Sequence, residues 1–180
     1  MMLKKYLSAY KPFLLFISIF FGVYIVLTFL YQYFLNSFQT GTADSITHLV
    51  ALNTEKLISW FYQLISIEKV ANEPFFIIYF QNKGIARIVE GCNGVSVIIL
   101  FISFIVAFSG SLKNTLLYIL GGSLFIHLIN VIRIALLTVL MYNFPNQSHI
   151  LHGVFFPLII YGLVFILWVI WVNKFSKYAK

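Results

Sequence analysis

Four apolar runs organise the chain, and a long mixed segment separates the first from the rest. The first run covers about 13–34, close to the roughly 20 residues needed to cross a bilayer. Tyr31 and Tyr33 stand at its far end, as interfacial aromatics do. The other runs cover about 93–110, 115–142 and 151–172. Gly110 to Asn114 makes a short polar break, and Asn143 to Ser148, with Pro145, makes another. The mixed segment, about 36–91, has its own periodicities. Ile46, Leu49, Val50, Leu57, Ile58, Phe61, Leu64 and Ile65 recur at helical spacing between Asp44 and Ile67, which predicts an amphipathic helix lying on a membrane. Phe75 to Phe80 and Ile85 to Val89 are β-prone runs around Gln81-Asn82-Lys83-Gly84, which predicts a hairpin. The expected fold class is therefore an all-α integral membrane protein: residues 1–180 as one membrane domain of about four transmembrane helices, with an amphipathic helix and a short β-hairpin between spans one and two.

Composition agrees. The chain is 61% hydrophobic and 9% charged, far from the near-half apolar, quarter charged make-up of a soluble domain. Lipid must be its solvent. The net charge of +7 would suggest nucleic acid in a soluble protein, but here the lysines flank apolar runs and set orientation instead. Lys4, Lys5 and Lys11 precede the first span, Lys113 lies between the second and third, and Lys174, Lys177 and Lys180 follow the last. Four spans bring all three groups to one face, predicted to be cytoplasmic. All the acidic residues (Asp44, Glu55, Glu68, Glu73 and Glu90) then fall outside. The basic start resembles a signal peptide, but its apolar run is too long and lacks a small-residue cleavage site, so an uncleaved first helix is expected.

Three kinds of residue could carry chemistry. Cys92 is the one cysteine, which excludes an internal disulfide and a multi-cysteine zinc site. Gly91 and Gly94 around it permit a sharp turn, and the helix that follows would favour a thiolate. Otherwise Cys92 only packs. Arg133 sits inside an apolar run, ~13 Å from the helix end at 1.5 Å rise per residue. It either faces a partner or cavity or snorkels to the interface. His149 and His152 stand at the mouth of the last span and could serve as acid or base, or as plain interfacial groups. His127 reads as a helix-packing residue and His48 as solvated. The four-span topology brings Cys92, Arg133 and the histidines of the last span to one outer face. A thiol with a histidine and a cation is the set needed for acyl transfer from a peptide. No His-Glu-x-x-His pattern suggests a metal-dependent protease.

The stretch Glu90-Gly91-Cys92-Asn93-Gly94-Val95-Ser96 resembles the cysteine motif of exosortases and archaeosortases, and Asn130-Val131-Ile132-Arg133-Ile134 resembles their Asn-x-x-Arg motif. A histidine opening the final span completes the pattern. The resemblance covers about 89–172. It is most like the short exosortase F branch of Gram-negative bacteria, where Leu151-His152-Gly153-Val154-Phe155-Phe156-Pro157 and Ile160-Tyr161-Gly162 also look familiar. It implies a membrane cysteine protease–transpeptidase that cleaves C-terminal sorting signals of exported proteins and transfers them to an acceptor. It also implies a cell inner membrane location with the site outside. By position, Cys92 would be the nucleophile, Arg133 the motif arginine and His152 the histidine, with no metal and no cofactor. Many relatives have more spans, and their His-x-x-x-Gly pattern fits His149 and Gly153 better, whereas the heptapeptide favours His152. The expected partners are exported substrates and membrane lipid, without nucleic acid; the oligomeric state is left open. The competing class is a non-catalytic scaffold or assembly factor, with Asn130 and Arg133 joining helices.

Overall fold

The computed structural model describes residues 10–38, 41–108 and 110–177. Lys4, Lys5 and Lys180, which entered the orientation argument, lie outside the described residues. Among the described residues, five helices of more than ten residues and one small sheet follow the hydrophobic pattern: α1 (Lys11–Leu35), α2 (Ser45–Ser59), α3 (Val95–Ala107), α4 (Leu112–Asn143) and α5 (Phe156–Lys174), with strands β1 (Ile65–Lys69), β2 (Phe75–Phe80) and β3 (Lys83–Val89) between α2 and α3. Among the described residues, three helical stretches, Lys11–Leu35, Leu112–Asn143 and Pro145–Lys174, are long and apolar enough to cross a membrane. With its 13 residues, α3 is shorter than a full crossing. The chain is a helical, multi-pass membrane protein carrying a small three-stranded sheet.

Side-chain contacts fix the helices at both ends. At one end, Gly110 bridges to Ser176, and the Trp171 indole donates to the Phe108 carbonyl at 2.8 Å. Phe16 of α1 packs on Phe108 at 4.6 Å between ring centroids. Lys11, Lys113 and Lys174 stand at the helix termini of this end. At the other end, Asn130 of α4 and Tyr31 of α1 bond the segment just before α3. Midway, Phe101 of α3 presses on Gly122 of α4 so closely that a Cβ there would overlap the ring. Only glycine lets these two helices meet at that point.

A cap of α2 and the sheet covers the second end. Asp44 caps α2, accepting from the backbone N–H of Ile46 at 2.9 Å and of Thr47 at 3.0 Å. The buried face of α2 (Thr47, Val50, Ala51, Thr54, Ile58) follows the helical period. Val50 and Ala51 join Phe76, Ile78 and Ile88 of the sheet and Val131 and Ile134 of α4 in one core. The sheet order is β1-β2-β3, antiparallel throughout. Gln81 and Asn82, at φ 51° and 63°, form the two-residue hairpin turn that such positive angles favour. Tyr142, near the end of α4, donates to Gln81 at 2.6 Å and packs on Phe80.

Three expectations change. The amphipathic helix ends at Ser59 rather than reaching Ile67, because Ile65–Lys69 pairs with β2 as a third strand. The Glu55 carboxylate accepts from the Ile67 N–H at 2.9 Å and ties that strand back to α2. The hairpin turn is two residues rather than four, since pairing continues to Phe80 and Lys83. Finally, α4 has 32 residues, or ~48 Å, against a hydrocarbon core of ~30 Å. Part of α4 therefore extends past the apolar layer, and depth counted back from its end overstates how far Arg133 lies from the boundary. His127 does join helices, with its Nε2 3.2 Å from Asn53 Nδ2 of α2. His48 is exposed and stacks on Phe76.

Candidate active site

The strand β3 ends at Val89, and a 3-10 turn, Glu90–Cys92, carries the chain into α3. Asn93 pins this turn. Its Nδ2 donates to Tyr31 Oη at 2.7 Å and to Thr47 Oγ1 at 3.1 Å, while its Oδ1 accepts from the Val95 N–H at 3.0 Å. Thr47 in turn donates to Asp44, so α1, α2 and the cysteine turn share one buried network. Gly94 caps α3 at φ 82°, and a Cβ there would meet Asn130 Cγ at 3.2 Å. Both facts require glycine at this position. Gly91 has open space around it, so its glycine answers neither constraint.

Fully buried, Asn130 donates to the Cys92 carbonyl at 2.7 Å. Its Oδ1 has no partner among the described residues. One turn further along α4, Arg133 shares a cavity wall with Cys92 and another with Tyr161. Its Nε is buried and likewise without a partner among the described residues. An unpaired buried donor is costly, so a free donor here is available to a group that enters.

The third element is the segment before α5. Ser148–Ile150 is a helical turn, and Leu151–Phe155 then widens into a π turn. Pro157 lacks the N–H that would bond the Gly153 carbonyl, and a local widening is one response to that missing bond. Such widened turns occur often at functional sites. His152 lies on this turn, exposed.

Cys92, Arg133 and His152 line one cavity of about 160 Å³. Its remaining walls come from β3 (Ala86, Arg87, Ile88) and from Ile134, Leu137, Thr138 and Met141 of α4. His149 is exposed and does not line this cavity. A second cavity of about 130 Å³ adjoins it through Arg133, with Gly94, Ser96, Asn130 and Tyr161 among its walls. Glu90, at the turn, has its carboxyl pushed above the ordinary value, first by partial burial and then by the nearby Asp44 charge. Arg87 escaped the sequence reading, and Tyr161 entered it only within the stretch Ile160-Tyr161-Gly162, with no role at the site. Arg87 stood as one charge in a β-prone run, and its place in the wall of the Cys92 cavity depends on β3 folding back against α4.

The class these features define is a helical integral membrane protein with a small capping sheet and a cysteine–arginine–histidine cavity at one end of its bundle. The family profile for transmembrane exosortases matches residues 6–172, well beyond the motif region and into the first helix. The chain belongs to the transmembrane exosortase family. No curated protein and no solved structure gives a significant match.

Proposed function

We propose that the protein is a membrane cysteine protease–transpeptidase that cleaves C-terminal sorting signals of exported proteins and passes the freed carboxyl end to an acceptor. Family membership supports a sorting-related membrane transpeptidase in general. The observation that carries the finer reading is the shared cavity of Cys92, Arg133 and His152. The site lies at the end of the bundle opposite Lys11, Lys113 and Lys174. Under the positive-inside rule it opens outside a cytoplasmic membrane, with four crossings and both termini inside.

In the proposed reaction the Cys92 thiolate adds to the scissile carbonyl carbon. The developing oxyanion takes the free Arg133 donor. The C–N bond then breaks, and the His152 imidazolium gives its proton to the leaving amine, leaving a thioester on Cys92. An acceptor amine or water attacks the thioester, His152 takes its proton, and the thiolate leaves. Arginine suits this role because its planar guanidinium holds several donors in fixed directions.

The test replaces Cys92 by alanine in the native host and maps the C-termini of exported proteins by mass spectrometry. Uncleaved hydrophobic tails should accumulate on membrane-bound precursors while the variant protein stays at parental level. Normal maturation of those precursors would overturn the reading and favour a scaffold.

A further inference from the structure

The cavity that holds Cys92 has an unusual wall. Ala86, Arg87 and Ile88 all line it, and they are consecutive in β3. Side chains of a strand alternate between faces, so a cavity against one face would meet every second residue. Three in a row puts the cavity along the strand's edge. That edge is free: β3 is last in the order β1-β2-β3 and pairs only with β2. Among the described residues, none of its backbone groups bonds to backbone outside the sheet. In an antiparallel pair, alternate residues of such a strand turn their N–H and C=O away from the partner. A strand edge without a backbone partner is a template for another extended chain. The strand then runs through Glu90–Cys92 directly to the thiol. Facing it across the cavity, Ile134, Leu137, Thr138 and Met141 lie on one face of α4 at helical spacing.

We infer that the substrate polypeptide binds as an added strand along the free edge of β3, held by its main chain, with the scissile carbonyl brought to Cys92. This rests on the proposed nucleophilic role of Cys92 and names how the substrate is gripped. Main-chain pairing supplies register and affinity independent of side-chain identity, and the α4 wall takes every second side chain. The occupant is an extended peptide segment. A lipid headgroup or a folded partner would leave the alternate N–H and C=O groups of β3 unmatched.

The test puts the perturbation in the probe. Full-length protein in detergent micelles is treated with acetyl-tetra-alanyl chloromethyl ketone and with analogues N-methylated at one amide each. Chloroacetamide serves as a probe without a peptide backbone. Cys92 is the chain's one cysteine, so intact mass reports its alkylation directly. Strand addition predicts an alternating pattern. Methylation at every second amide should slow alkylation about three- to tenfold, the net worth of one such bond, and methylation at the intervening amides should change it less than about twofold. Equal rates for all analogues, with Cys92 still alkylated by chloroacetamide, would overturn strand addition and leave the nucleophile reading standing. A uniform slowing at every amide would overturn it equally. A Cys92 that no probe reaches until the protein is denatured would overturn both.

Discussion

Replacing Asn130 by alanine should loosen the turn that carries Cys92 without altering the thiol itself. Asn130 is fully buried and donates to the Cys92 carbonyl at 2.7 Å. Removing the amide leaves that carbonyl unpaired, at a cost of about 1–3 kcal/mol. Gly94→Ala perturbs the same turn from the other side. A left-handed φ of 82° costs a non-glycine residue about 1–2 kcal/mol, and the new Cβ would press on Asn130 Cγ at 3.2 Å. The double variant loses Cγ and with it that contact, so its destabilisation should fall short of the sum by about 0.5 kcal/mol or more. The assay is the midpoint of SDS-induced unfolding in mixed micelles, read beside the chloroacetamide alkylation rate of Cys92. Asn130→Ala should lower the midpoint and change the alkylation rate, because the turn no longer has one position. An unchanged midpoint with an unchanged rate would refute the claim that this bond holds the turn, and strict additivity would refute the Gly94–Asn130 contact.

Other outcomes follow from the same geometry. Arg133→Lys should lower substrate maturation by ~10²–10³, as loss of an oxyanion donor does, at unchanged protein level; near-normal maturation would reduce Arg133 to an interfacial anchor. His152→Ala should abolish maturation and His149→Ala should largely spare it, since only His152 lines the cavity with Cys92; the reverse pattern in parallel maturation assays would move the proton-transfer role to His149. Glu90 has a carboxyl raised by partial burial and by Asp44, so the folded state binds its proton more tightly than the unfolded chain. The destabilisation this implies is absent below the unfolded value and complete above the folded one. Glu90→Gln should therefore leave the unfolding midpoint unchanged at acid pH and raise it slightly at neutral pH; an equal effect at both would contradict this sign.

Much of the fold was legible because lipid imposes long apolar runs, and each run became a helix. The third strand was not. Ile65–Lys69 begins on Ile65, the last member of an apparent helical stripe, and its pairing with Phe76–Phe80 is a non-local hydrogen-bond choice that local periodicity does not carry. The helix also ends before Trp60 and Phe61, which are exposed on the cap and satisfy a helical pattern equally well. At the site, Cys92, Arg133 and the last-span histidines could be brought to one face by counting helices. The distinction between His149 and His152 turns on the widened turn Leu151–Phe155, which resets the helical register just where the two histidines stand. Arg87 and the free edge of β3 depend on how the sheet folds back on α4, so no spacing announces them.

The proposed function requires Cys92 to be the working nucleophile and to face outside. A membrane-impermeant maleimide, added to intact cells or right-side-out vesicles, tests both parts at once. Outside reagent alone should modify Cys92, and maturation of tailed precursors should fall in proportion to the fraction modified. Complete modification of Cys92 with maturation continuing at the parental rate, or modification only after the inner face is opened, would contradict it.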